Sequence, residues 1–163
     1  MIIPLDARVR TMKKLPTLLC AFLLSACAPS EVPLDKLLEL NGLKYEINSQ
    51  TPFTGVATEY YENGQLRYKH TYKDGELNGL SEGYSENGQL MAKGNYKDGK
   101  QNGITWSYYE NGQLSYKGTF KDGKLNGLTE VYYENGQLEY KHTYKDGELI
   151  AHPVKLHKSH RDS

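Results

Sequence analysis

The sequence predicts an all-β protein, an open meander of β-hairpin repeats with about eight or more antiparallel strands. Two short motifs recur every 24 residues, and each contains a dipeptide that favours a tight turn. The segments between these turns alternate between apolar or aromatic residues and polar ones, as strands with one packed face do. The composition agrees, because 14 tyrosines and 16 glycines among 163 residues are typical of a polar, aromatic-rich β protein.

Residues 1–26 have the pattern of a signal peptide. Met12, Lys13 and Lys14 form a short basic segment, and the run from Leu15 to Ala26 is apolar. Twelve residues are too few to span a bilayer as a helix, which needs roughly 20, but they suit a secretory signal. Met12 is a second candidate translation start beside Met1.

The end of this segment predicts lipidation at Cys27. Leu24-Ser25-Ala26-Cys27 resembles a lipobox, the site at which bacterial lipoproteins are lipidated and cleaved. Cleavage there would remove Cys20 and leave no cysteine for a disulfide. Several acyl chains on Cys27 would hold the protein at a membrane, where one chain binds only marginally. In Gram-negative lipoproteins, Ala at position 28 rather than Asp implies the outer membrane, so we expect a cell-envelope location.

The residues after Cys27 are predicted to be a linker over 27–42, because the segment 28–35 contains two prolines. Within this linker, residues 36–40 form at most a short amphipathic turn. After it, Leu43 to Ile47 alternate as a first strand would. The repeat domain is predicted over residues 43–150. Its segment 43–54 is interpreted as a degenerate half-unit that caps the start of the array.

Four units follow, at 55–78, 79–102, 103–126 and 127–150. Asn-Gly-Gln-Leu and Lys-Asp-Gly each occur once in every unit, always 24 residues apart. Both Asn-Gly and Asp-Gly favour type I′ turns, which need positive φ at both central residues. The predicted turn residues are Asn63, Gly64, Asp74, Gly75, Asn87, Gly88, Asp98, Gly99, Asn111, Gly112, Asp122, Gly123, Asn135, Gly136, Asp146 and Gly147.

Alternation along the strands predicts which side chains share a face. In the third unit, Ile104–Glu110 and Gln113–Lys121 are the predicted strands, and a two-residue turn would pair Tyr109 with Leu114. Leu114, Tyr116, Gly118 and Phe120 would then lie on that packed face.

The opposite face is predicted to carry a row of tyrosines about 9.6 Å apart, two strand spacings. A tyrosine ring combines apolar area with a hydroxyl, which suits a binding surface. The alternative is that these rings only cover the sheet. The residues of this candidate binding surface are Tyr60, Tyr84, Tyr108 and Tyr132.

Charge and motifs exclude several function classes. From Cys27 onward there are 16 basic and 19 acidic residues, so nucleic acid binding is not expected. His70 and His142 are 72 residues apart at one repeat position, and we interpret them as tolerated substitutions. Three further histidines belong to a flexible basic tail predicted for 151–163. We therefore expect no catalytic residues, no metal, no cofactor and no small-molecule substrate.

The repeat unit Tyr-Tyr-Glu-Asn-Gly-Gln-Leu-x-x-Lys-Gly-x-Tyr-Lys-Asp-Gly-Lys resembles the bacterial variant of the MORN repeat. Arrays with this repeat sequence are similar to YwqK-family antitoxins of toxin–antitoxin systems. The preceding segment 51–55 also resembles that family's entry segment. The resemblance covers residues 43–150 and implies a module without catalytic activity.

The sequence therefore favours a membrane-anchored protein that binds a protein partner, with a toxin as one candidate partner. Two alternatives stay open. Repeats of this size also resemble choline-binding cell-wall modules, which would imply glycan binding, although Trp106 is the single tryptophan and is not repeated. Lipid head-group binding is the other alternative, suggested by the MORN resemblance and opposed by the acidic composition after Cys27.

Overall fold

The structure, a computed structural model, describes residues 31–151. Within this range the chain forms twelve β-strands and one 3-10 turn at Leu34–Lys36. No helix in that range could cross a membrane. The strands are β1 (Glu31–Pro33), β2 (Leu37–Leu40), β3 (Leu43–Glu46), β4 (Gly55–Tyr60), β5 (Leu66–Lys73), β6 (Glu76–Tyr84), β7 (Leu90–Lys97), β8 (Lys100–Tyr108), β9 (Leu114–Lys121), β10 (Lys124–Tyr132), β11 (Leu138–Lys145) and β12 (Glu148–Ala151).

Ten of these strands form one sheet, and the predicted all-β meander is confirmed. Strands β4 to β12 follow one another in chain order, each antiparallel to the next, and β1 pairs in parallel with β4 at the first edge. Strands β2 and β3 form a separate hairpin. Each repeat thus contributes one hairpin and turns the chain directly into the next.

The linker prediction is wrong from Glu31 onward. Residues 31–40 build β1, the 3-10 turn and β2, and β2 pairs with β3. Leu37, the buried residue of β2, packs in a cluster with Phe53, Ala57 and Tyr72. This segment packs on the first repeat through Leu37 and Leu34, a contact that composition alone did not reveal. Residues 1–30 and 152–163, with the predicted signal peptide, Cys27 and most of the basic tail, lie outside the described residues.

The cap, which comprises residues 31–54, also bonds to the first Asp-Gly turn through the backbone. The amide of Lys44 donates to the carbonyl of Gly75, and the amide of Gly75 donates to the carbonyl of Phe53. The amide of Phe53 in turn donates to the carbonyl of Lys44 at 2.8 Å. The predicted capping role of 43–54 has this structural basis.

The two kinds of turn differ. At the Asp-Gly sites both residues have positive φ, for example 49° at Asp122 and 81° at Gly123, as a type I′ turn requires. The Asn-Gly sites also turn the chain, but the predicted type I′ geometry is wrong there, because glycine alone has positive φ. There the amide of Gly112 donates to the carbonyl of Tyr109, which closes a longer loop. Asn111 keeps negative φ because its side-chain oxygen accepts a hydrogen bond from the amide of Gln113 at 2.9 Å.

This longer loop changes the predicted faces. Tyr108, and not Tyr109, is the cross-strand partner of Leu114, while Ser107 pairs with Tyr116. Ser115 is therefore the extra residue of a β-bulge, and the alternation breaks between Leu114 and Tyr116. Leu114 belongs to the face of Tyr108, so its predicted place beside Tyr116, Gly118 and Phe120 is wrong. The same shift occurs in all four hairpins.

Hydrogen bonds between equivalent loops connect successive repeats. On the Asn-Gly edge, Asn63 Nδ2 donates to the carbonyl of Glu86, and Asn111 Nδ2 donates to that of Glu134, both at 2.8 Å. On the Asp-Gly edge, the amide of Gly123 donates to the carbonyl of Gln101. These bonds join each repeat to the one beside it, through Asn-Gly loops on one edge and from an Asp-Gly turn to the strand that follows the preceding turn on the other, which fixes the spacing of the repeats.

The sheet is a single layer. The buried apolar residues of the described chain are Leu37, Phe53, Ala57 and Tyr72, all beneath the cap. Beyond the cap the repeats leave both faces of the sheet partly exposed. Outside the part beneath the cap, the described sheet therefore has side chains open to solvent on both faces.

A candidate binding face

One face of the sheet carries the four predicted tyrosines. The register pairs each of them with the leucine that opens the next strand: Tyr60 with Leu66, Tyr84 with Leu90, Tyr108 with Leu114 and Tyr132 with Leu138. The structure therefore places all four tyrosines in one row at the Asn-Gly end of the strands. We call this surface the tyrosine face.

The exposure of the row varies along the sheet. Tyr60 is 54% exposed, whereas Tyr84, Tyr108 and Tyr132 are half-buried between neighbouring side chains. Burial and the adjacent Glu82 carboxylate raise the pKa of Tyr84. Burial and Glu130 likewise raise the pKa of Tyr132. Both rings stay protonated near neutral pH and present neutral hydroxyls.

A second row crosses the same face, two residues before the tyrosines. Cross-strand pairing orders it as Thr58, Lys69, Glu82, Lys93, Trp106, Lys117, Glu130 and Lys141, which we call the lysine row. Glu130 bridges its two neighbours, with 3.7 Å to Lys117 Nζ and 2.9 Å to Lys141 Nζ. These ion pairs lower the pKa of Glu130, the bond from Lys141 contributing most.

Trp106 occupies the centre of the lysine row. Lys93 Nζ lies 4.9 Å from the centroid of the indole ring, and Lys117 is the cross-strand partner on the other side. A cation over an aromatic face is attracted by the ring quadrupole. Sequence analysis noted Trp106 only as an unrepeated residue, because the pairing that flanks it with two lysines depends on the register.

A second tyrosine follows Tyr60, Tyr108 and Tyr132, and in two units it has a different role. Tyr61 Oη donates to the carbonyl of Tyr84 at 2.8 Å, and Tyr109 Oη donates to that of Tyr132 at 2.7 Å. These hydroxyls hold adjacent repeats together and are not free for a ligand. The sequence placed Tyr108 and Tyr109 on opposite faces but could not predict the hydroxyl bond of Tyr109, because its acceptor lies in the next repeat.

The opposite face carries the histidines. His70 stacks on Tyr68 with ring centroids 5.5 Å apart, and its Nδ1 lies 2.8 Å from Ser81 Oγ. Burial lowers the pKa of His70. Beside this ring a shallow groove of about 280 Å³ runs over Gly83, Ala92 and Gly94. In residues 31–151 no three His, Cys, Asp or Glu side chains come together as a metal site would require.

Four segments of the chain match the family described as MORN repeat variant: residues 53–74, 77–98, 101–122 and 125–146. Together they cover more than half of the sequence. The chain belongs to the MORN repeat variant family. Each MORN segment holds one Asn-Gly loop and the strands on either side of it, so the matched unit is the hairpin seen in the sheet. No curated protein is significantly similar to the chain.

The MORN segments contain the whole tyrosine row and every lysine of the lysine row. They recur at 24-residue intervals, the same period that the loops show in space. A MORN array of this kind is a repeat protein with a binding role. What it binds is decided by the side chains on its faces, because the hairpins themselves serve as scaffold.

Proposed function

We propose that this MORN protein is a membrane-anchored, non-enzymatic adaptor that binds a protein partner on the tyrosine face. The observation that supports the proposal is the tyrosine row itself. Four rings stand in register on one face of a single-layer sheet, beside the lysine row and with no second layer over them. Protein interfaces are enriched in aromatic residues of this kind.

The partner that we propose first is a protein toxin. The resemblance of the repeat to YwqK-family antitoxins suggests it, and a lipid anchor would place such an antitoxin in the cell envelope as an immunity protein. An extended face with many hydroxyl, lysine and glutamate groups suits recognition of another folded protein. The gene next to this one is the natural source of the partner to test.

The test replaces Tyr108 and Tyr132 together by serine. We expect loss of capture of the co-expressed neighbouring gene product, with only a small decrease in melting temperature, because both rings are partly exposed. If the rings were instead fully buried and only covered the sheet, truncating each of them would cost about 3–5 kcal/mol of stability. The matched control replaces Tyr68 and Tyr140 by serine on the opposite face, where they are 36% and 37% exposed. Equal loss of capture in both variants would contradict the tyrosine face as the binding surface.

We further propose that Cys27 carries the lipid. The lipobox-like Leu24-Ser25-Ala26-Cys27 supports this, and β1 begins at Glu31, only four positions later. A tether that short would hold the first edge of the sheet close to the membrane.

Cys27→Ala should move the protein from the membrane fraction to the soluble fraction. Labelled fatty acid should be incorporated into the parent chain and not into the variant. Cys20→Ala is the matched control, since Cys20 lies within the segment expected to be removed. Membrane association without label in the parent chain would contradict the lipid anchor.

A further inference from the structure

The lysine row has a repeating pattern of charge with one interruption. Lysines occupy the same repeat position in all four units, at Lys69, Lys93, Lys117 and Lys141. Between them the register places Glu82, Trp106 and Glu130 in turn. The third repeat therefore has an indole where the repeats on both sides of it have a carboxylate.

Glu130 shows what a carboxylate can do at this position. Glu130 pairs with lysines on both neighbouring strands. Burial and the carboxylates of Glu82 and Glu130 raise the pKa of the tyrosines two residues later, Tyr84 and Tyr132. The Glu130 carboxylate thus pairs with two ammonium groups, those of Lys117 and Lys141.

At Trp106 the same neighbours are present without that carboxylate. Lys93 lies over the indole ring, and Lys117 has Glu130 at 3.7 Å, a carboxylate that is closer to Lys141. Tyr108, two residues after Trp106, has an indole where Tyr84 and Tyr132 have a glutamate. Lys93, Trp106 and Lys117 are all partly exposed, so an incoming group can reach them.

We propose that Lys93, Trp106 and Lys117 bind an acidic segment of the protein partner, with a carboxylate of that segment between the two ammonium groups. The indole then contacts the apolar part of the same segment. This inference rests on the proposed function and names the chemistry of the partner for that surface.

The charge pattern favours an acidic protein segment over an anionic membrane surface. Glu82 and Glu130 bound the cluster on both sides, and residues from Cys27 onward are acidic overall. Anionic membranes attract clusters of four to eight basic residues. Two lysines between two glutamates instead match one or two carboxylates at a defined spacing.

The fluorescence of Trp106 reports on this cluster directly, because it is the single tryptophan of the chain. We would titrate the full chain, in a neutral detergent and at low ionic strength, with hexaglutamate and with hexaglutamine as the uncharged probe. We expect hexaglutamate to change the emission saturably and hexaglutamine to leave it unchanged. Added salt should weaken the response, since exposed charges are screened.

The variant Lys93→Gln with Lys117→Gln should weaken hexaglutamate binding by about fivefold for each lysine, the upper range for an exposed ion pair. The matched control is Lys97→Gln with Lys121→Gln, on the same two strands and with the same change in charge. That control should leave binding unchanged. Trp106→Glu, which restores the pattern of the adjacent repeats, should abolish binding in calorimetry while the melting temperature is kept.

Three results would overturn the inference: no response to hexaglutamate, equal weakening in both double variants, or a response to phosphatidylglycerol vesicles in its place. The outcome can be separated from that of the proposed function. If Tyr108→Ser with Tyr132→Ser abolishes capture of the partner while Lys93→Gln with Lys117→Gln does not, the tyrosine face stands and the acidic segment is wrong.

Discussion

Phe53→Ala should lower the free energy of unfolding by about 3–5 kcal/mol, the usual loss for a buried phenylalanine. Phe53 is 3% exposed and lies in the one cluster of buried apolar residues of the described chain. Its ring centroid is 5.9 Å from that of Tyr72, which belongs to the first repeat. Truncation would therefore leave a cavity between the cap and the array, and denaturant titration of the full chain measures the loss.

The matched control for this variant is Leu125→Ala. Leu125 lies 72 residues after Phe53, three repeat lengths, but has no cap above it and is partly exposed. Its truncation should cost about 1 kcal/mol, less than the full burial value for leucine. If both variants lost the same stability, the cap cluster would not be the core of the protein.

The fold could be predicted because the repeats encode it locally. Asp-Gly forces both turn residues into positive φ, and each Asp-Gly site forms the predicted turn. The Asn-Gly sites have an equally strong signal but form a different loop. Asn111 bonds to the amide of Gln113, and its amide nitrogen bonds to the carbonyl of Glu134 in the next repeat. That second bond exists only once the repeats are stacked, so a single hairpin does not reveal it.

The bulge at Ser115 explains why the predicted packed face was wrong. Alternation along a strand assigns faces correctly only where no residue is inserted, and a single insertion moves every residue beyond it to the other face. Tyr108 lies on the strand without the insertion, so its face relative to Tyr116 was predicted correctly. Leu114 is separated from Tyr116 by Ser115, so it was placed on the wrong face.

The first part of the cap, residues 31–40, could not be predicted because it does not repeat. Its strands are short, and Leu37 is buried against Phe53 and Tyr72, residues distant from it in sequence. Part of the candidate site could be predicted from the sequence for the same reason that the repeats could. The tyrosine row recurs every 24 residues, whereas the setting of Trp106 depends on two neighbouring strands and thus on their register.

Deletion of residues 79–102 should leave a shorter, cooperatively folded β protein. The cut joins Asn78 to Gly103 and so keeps an Asn-Gly pair at the junction. Loops of each kind stay on their own edge, and their hydrogen bonds can form with the new neighbour, as in other repeat arrays. Circular dichroism should show retained β structure. The melting temperature should fall by about 4–8 °C for each kcal/mol that the lost interface contributed.

Deletion of residues 79–90 should have a far larger effect, although it removes half as many residues. It takes out most of β6 together with one Asn-Gly loop, so two Asp-Gly turns follow each other with a single strand between them. The second of these turns would lie on the edge that the Asn-Gly loops occupy. There it could not form the bond that Gly99 makes to the carbonyl of Leu77. We therefore expect no cooperative thermal transition. If the variants without 79–90 and without 79–102 melted alike, the hydrogen bonds from the turns to the neighbouring repeat would not set the register of the array.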